Sequence, residues 1–145
     1  MYKKILFPTD FSDVAAKAVK YVKQLRGAGA QEVILLHVID EHELLVLSRA
    51  PAQYEQIMEE LKKEVATEMA AIVKEMTSEG FRVKPEIKTG NPFAVIVETA
   101  RQEKVSIIVL GSHGKSNMGE LLMGSVSENV IRHARVPMLV IGRDA

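Results

Sequence analysis

Two hydrophobic patterns take turns along the chain. Residues 2–7, 32–39, 105–110 and 136–141 are apolar at most positions, short and rich in β-branched side chains. Runs of that length and composition predict strands buried on both faces, as in parallel sheets. A fifth run, 81–88, mixes apolar with charged residues. Its Pro85, which has no N–H to give to a ladder, predicts an edge strand.

Between these runs, apolar residues recur every three to four positions, the period of an amphipathic helix. Ser12 is a good N-cap for a first helix with Val14, Ala15, Ala18, Val22 and Leu25 on one face. Lys17, Lys20 and Lys23 point elsewhere, and Gly27 and Gly29 end it. Over residues 54–79, Ile57, Leu61, Val65, Met69, Ile72 and Met76 repeat at helical spacing up to Gly80. Gly90 turns the chain, Asn91 caps and Pro92 takes the first position of a third helix, which carries Phe93, Ile96, Val97 and Ala100 on its apolar face. A last helix follows Gly124-Ser125, with Val126, Val130, Ile131 and Ala134 on its apolar spacing. Residues 40–53 show no period. Leu44, Leu45, Val46 and Leu47 are too many apolar residues for a solvated loop, and the expectation is a mobile or partner-covered connection with a short helical turn.

The order β-α-β-α-β-α-β-α-β predicts an α/β fold, a parallel sheet with helices on both faces and right-handed crossovers. Ligands of such sheets lie beyond the carboxyl ends of the strands, where the strand order reverses. Two polar breaks stand at strand ends, Pro8-Thr9-Asp10 and Gly111-Ser112-His113-Gly114. They line one crevice if the first and fourth strands are neighbours.

Length and composition narrow the picture further. At 145 residues the expectation is one domain spanning 1–145. Lysine plus arginine equals aspartate plus glutamate, 19 against 19, so no net field draws the chain to nucleic acid or anionic lipid. No cysteine is present, which excludes disulfides and thiolate chemistry. No apolar run approaches the roughly 20 residues of a membrane helix, and the N-terminus lacks a signal-peptide core. The expected location is the cytoplasm.

The glycines carry the candidate chemistry. Gly114-Lys115-Ser116 has the ending of a P-loop, but Val109 occupies the first glycine position, inside a predicted strand. A dinucleotide fingerprint needs glycines after the first strand, where there are none. What the chain does have is Gly111-x2-Gly114-x9-Gly124-Ser125. Together with Pro8-Thr9-Asp10, His37-Val38 and Gly90, this pattern resembles the ATP-binding branch of the universal stress protein (UspA-like) family, over nearly the whole chain.

The resemblance implies an open five-stranded parallel sheet in the order 3-2-1-4-5, a Rossmann-like arrangement, and a homodimer. It implies ATP as ligand, with Mg or Mn accompanying the phosphates. Pro8, Thr9 and Asp10 would border the site, Asp10 lying against ribose or adenine, and the Val38 backbone would bond the base. Gly111 and Gly114 would let the chain approach phosphates and ribose, while Gly124, Ser125, Val126 and Ser127 would hold phosphates at the start of the last helix. Helix-start amides favour an anion by about 0.3–1 kcal/mol when exposed, and Ser125 and Ser127 add hydroxyls. Lys115 is the nearest cation between the glycines.

Plainer readings stand beside these. Gly111 and Gly114 alone would be turn glycines, and Asp10 also suits an Asx-turn before Ser12. His37 and His113 have no partner at metal spacing, so structural or solvated roles are expected. No Gly-x-Ser-x-Gly elbow or assignable serine-histidine-aspartate set supports catalysis, and hydrolysis of bound ATP is expected to be slow at most. The rival functions are an ATP-hydrolysing or nucleotidyl-transfer enzyme, and a dimerisation module that needs no nucleotide. In the implied order, residues 136–141 form an apolar edge strand, which would aggregate if bare. Pairing with a second copy across a twofold axis is the simplest cover.

Overall fold

The computed structural model describes residues 2–112 and 124–144. Five parallel strands, β1 (Lys4–Pro8), β2 (Glu32–Asp40), β3 (Arg82–Gly90), β4 (Ile107–Gly111) and β5 (Met138–Ile141), form one sheet in the order β3-β2-β1-β4-β5. Five α-helices connect and flank them: α1 (Asp13–Gln24), α2 (Glu41–Leu47), α3 (Pro51–Ser78), α4 (Pro92–Gln102) and α5 (Ser125–His133). This is the architecture that the alternating pattern and the family resemblance predict.

Each sheet face has its own core. Ile5, Phe7, Val33, Leu35, Ile107 and Val109 point to the side packed by Val22 of α1 and by Val65, Met69 and Met76 of α3. The intervening Leu6, Ile34, Leu36, Ile108 and Leu110 point to the side packed by Ile96 and Ala100 of α4 and Val130 of α5. The central strands are buried on both faces, which is why their sequences run apolar without alternation.

Local signals set most helix ends. Ser12 Oγ accepts from the Ala15 N–H at 3.2 Å, and Asn91 Oδ1 accepts from the Ala94 N–H at 3.0 Å. The first helix ends earlier than its glycines suggest. Leu25–Ala28 tighten into a 3-10 turn, and only Gly29 takes the left-handed conformation, at φ 100°.

The segment 40–53 corrects the sequence expectation. It is mostly helical: Asp40 leads straight from β2 into α2 and accepts from the His42 N–H at 2.9 Å, and α3 begins at Pro51. Seven residues are too few for an isolated helix to be stable in water. Only Leu44 of α2 is buried, which contributes about 1.5–3 kcal/mol. Ile131 also departs from expectation, since it is 42% exposed despite its apolar spacing.

The two sheet edges differ. The β3 edge carries Pro85 and alternating charge, with Lys84 bridging Glu86 at 3.2 Å and Glu103 at 2.7 Å. Hydrogen bonds from Lys84 and then Lys4 outweigh partial burial and hold the Glu103 carboxyl down to about 2. The β5 edge, Met138–Ile141, has no charged residue. Among the described residues, no helix is long and apolar enough to cross a membrane.

Candidate functional site

The strand order reverses between β1 and β4, since β1 connects onward to β2 on one side while β4 lies on the other. A cavity of about 860 Å³ opens beyond the carboxyl ends of these strands, the place where sheets of this class take ligands. Pro8, Thr9, Asp10, Val38, Gly111, Gly124, Ser125, Val126 and Ser127 all border it. Gly114, with His113 and Lys115, lies outside the described residues.

The loop after β1 is held by its own short-range bonds. Thr9 N–H donates to the Leu36 carbonyl at 2.8 Å, closing the β1–β2 ladder. Asp10 Oδ1 accepts from the Ser12 N–H at 2.9 Å, the Asx-turn that the sequence allows. Phe11 between them sits at φ 61°, a left-handed conformation unusual for an aromatic residue. Its ring stacks on His37 at 4.8 Å between centroids. His37 Nδ1 lies 2.8 Å from the Thr9 carbonyl; a carbonyl only accepts, so this nitrogen carries the hydrogen. His37 thus ties the loop to β2.

Val38 offers its backbone. In a strand the N–H and C=O of alternate residues point to opposite neighbours. Glu32 N–H and the Leu36 carbonyl both bond to β1 or the residues flanking it, whereas the Gln31 carbonyl accepts from Arg82 beside β3. The even-numbered residues of β2 therefore face β1. β1 pairs with β2 only as far as Leu36, while β3 continues alongside to Asp40. The Val38 N–H and C=O consequently face the space past the end of β1, which is the cavity.

On the opposite wall stands the start of α5. Gly124 occupies the N-cap position and has no side chain with which to bond the first-turn amides, groups that favour an anion at a helix start. Its φ of −65° is open to any residue, so glycine is not required there for backbone reasons. The Gly124 N–H donates to the Ser112 carbonyl at 2.8 Å, and Ser112 N–H to Ile141 at 2.9 Å, fixing the approach to the helix from β4 and β5.

Two expectations are refined here. Gly111 lines the cavity, but its missing side chain accommodates α1: a Cβ would stand 2.9 Å from Val14 Cγ1. Ser127 is buried, and its hydroxyl donates to the Gly111 carbonyl at 2.7 Å. It braces α5 against β4, so that this hydrogen is already engaged within the protein. Replacing Gly111 by alanine would force the stiff, buried Val14 aside. We expect Gly111→Ala to lower stability by about 1–3 kcal/mol, read as an earlier urea midpoint with unchanged slope; an unshifted midpoint would contradict this packing.

The part of the wall built by α2 and α3 was not read from the sequence. Leu44 and Leu47 of α2, and Leu61 and Val65 of α3, border the cavity together with Ile39 of β2 and form its apolar part on the α3 side. Asp40, Glu43, Glu64 and Glu68 join Asp10 in bringing carboxylates to the same space, and no lysine or arginine is among the described lining residues. The spacing of Leu61 with Val65, and of Glu64 with Glu68, was the available signal; the facing α2 was not legible. Among the described residues no group of three or more histidine, aspartate or glutamate side chains is arranged to hold a metal ion.

A slot of this volume, with an uncapped helix start at one side and free strand backbone at the other, fits an anionic ligand with a flat apolar part. Comparisons with known proteins identify the family. The model of the universal stress protein family matches residues 1–142. Universal stress protein MJ0577 of Methanocaldococcus jannaschii is 46% identical, over 99% of this chain and 96% of its own. A solved structure of the MJ0577 protein superposes with a TM-score of 0.92 at 48% identity, covering 99% of this chain and 97% of that one. A more distant Arabidopsis thaliana protein of the family, solved with AMP bound, shares the fold at a TM-score of 0.70 and 19% identity, covering 99% of this chain and 93% of its own.

Proposed function

The chain belongs to the universal stress protein family, and from that premise we propose that it binds ATP in the cavity beyond β1 and β4. It acts, in this reading, as a cytoplasmic nucleotide-dependent regulatory or stress-protective factor with slow hydrolysis at most. The supporting observation is the convergence on one cavity of the start of α5 with its glycine N-cap, the Val38 backbone and Asp10. Adenine fits the slot of Ile39, Leu44, Leu61 and Val65, where the Val38 N–H and C=O match the acceptor nitrogen and amino donor of its edge. Asp10 is placed to accept from a ribose hydroxyl. The triphosphate then extends over Gly124 toward the amides of Ser125, Val126 and Ser127.

With carboxylates rather than cations around the described part of the cavity, a divalent ion (Mg or Mn) is held chiefly by the phosphate oxygens and offsets their charge. That the related Arabidopsis thaliana protein was solved with AMP bound supports a nucleotide as the ligand class. Calorimetric titration with ATP and Mg tests the proposal. One site per chain is expected, with AMP and cAMP weaker because they offer fewer oxygens to α5. A flat ATP titration would refute the proposal.

The same reading includes a homodimer through β5 and the residues leading into it, 136–141. The contrast between the edges supports it: β3 is protected by proline and charge, whereas β5 is apolar and unguarded.

A further inference from the structure

We propose that α2 is a lid whose closure is coupled to occupancy of the cavity. The inference rests on the nucleotide reading above and concerns its regulation.

Three observations meet in this helix. First, Glu43, Leu44 and Leu47 border the cavity, so α2 forms part of its wall. Second, its hold on the rest of the chain is slight. Leu44 is 1% exposed, whereas Leu45, Val46 and Leu47 are 57%, 70% and 63% exposed. A helix of seven residues depends on tertiary contacts for its existence, and here one side chain supplies nearly all of the apolar seating. Third, charge opposes closure. Glu43 on α2 faces the same cavity as Glu64 and Glu68 on α3. Like charges around one mouth repel.

A weakly seated helix under repulsion sits close to balance between closed and open. A ligand filling the space beneath it adds contacts with Leu44 and Leu47 in the closed state only. Such differential contact is what shifts a two-state equilibrium. By the same linkage, whatever stabilises α2 tightens nucleotide binding. Opening also gives the ligand a route out, so the lid sets the exchange rate.

Val46 permits a test that leaves the cavity untouched. It is the most exposed apolar residue of α2 and does not line the site. Val46→Ala raises helix propensity and Val46→Gly lowers it. The full-length variants should share one global unfolding midpoint, yet the alanine form should bind ATP up to about fivefold more tightly than the glycine form. In the wild-type chain, amide hydrogen exchange across 41–47 should slow at least tenfold with saturating ATP and Mg, while α1 is little changed. If ATP binds but both variants bind it equally and exchange across 41–47 does not change, the lid is refuted and the nucleotide site stands. If the wild-type chain binds no ATP, the nucleotide reading falls and the lid with it.

Discussion

Replacing Gly124 by valine is expected to weaken ATP binding by about a hundredfold or more while leaving the fold intact. At φ −65° and ψ 154° the Gly124 backbone suits a β-branched residue, and its N–H bond to Ser112 need not change. The harm falls on the ligand. In the proposed binding mode, two new methyl groups at the N-cap would lie beside the first-turn amides of α5, toward which the phosphates extend. Losing about two charge-assisted hydrogen bonds, each worth about 1.5–3 kcal/mol, corresponds to two or more decades of affinity. Calorimetry measures the affinity, and far-ultraviolet circular dichroism with thermal melting checks the fold. Full affinity in a folded variant would show that the phosphates lie elsewhere.

The second large effect concerns β5. The proposed dimer joins two β5 edges across a twofold axis, so a charge there meets its own copy. Leu139 is a poor place to introduce it, because its side chain packs against the core shared with α1 and α3. Val140 is half-buried and belongs to neither core cluster. Val140→Lys is therefore expected to convert the dimer to monomer while the far-ultraviolet circular dichroism of the fold is retained. Light scattering across a dilution series reads the mass. A Val140→Lys chain that stays dimeric at micromolar concentration would exclude this interface, and a monomeric wild-type chain would exclude the dimer itself.

Much of the fold is legible because each signal is local. The runs around Ile5, Ile34 and Ile108 are apolar throughout since each strand has a helix on both faces. Ser12 and Asn91 announce helix starts because their side chains bond an amide three residues on. Element ends are less legible. The run 105–110 begins as helix exit, with Val105 N–H on the Ala100 carbonyl, and β4 pairs only from Ile107. Likewise 136–141 becomes strand only at Met138, after a proline that has no N–H to donate.

The site was legible to a similar extent, and for a similar reason. Glycines and short polar breaks at strand ends mark where chain and ligand can meet, and Pro8-Thr9-Asp10, Val38 and Gly124 to Ser127 do border one cavity. What each residue does there was not readable. Gly111 is small because α1 crosses it, and the Ser127 hydroxyl is engaged with a carbonyl sixteen residues away. Neither contact leaves a periodic trace.

By itself, then, the sequence determined the elements, their parallel sheet and the loops that border the cavity, because periodicity, caps and glycine placement act over a few residues. Tertiary structure alone decided that residues 41–47 are a helix, that α2 and α3 wall the cavity with carboxylates, and that the Val38 backbone faces the space past the end of β1. Those properties depend on where β1 stops relative to β2 and on a single leucine finding a buried seat, and such matches between distant segments exist only once the chain has folded.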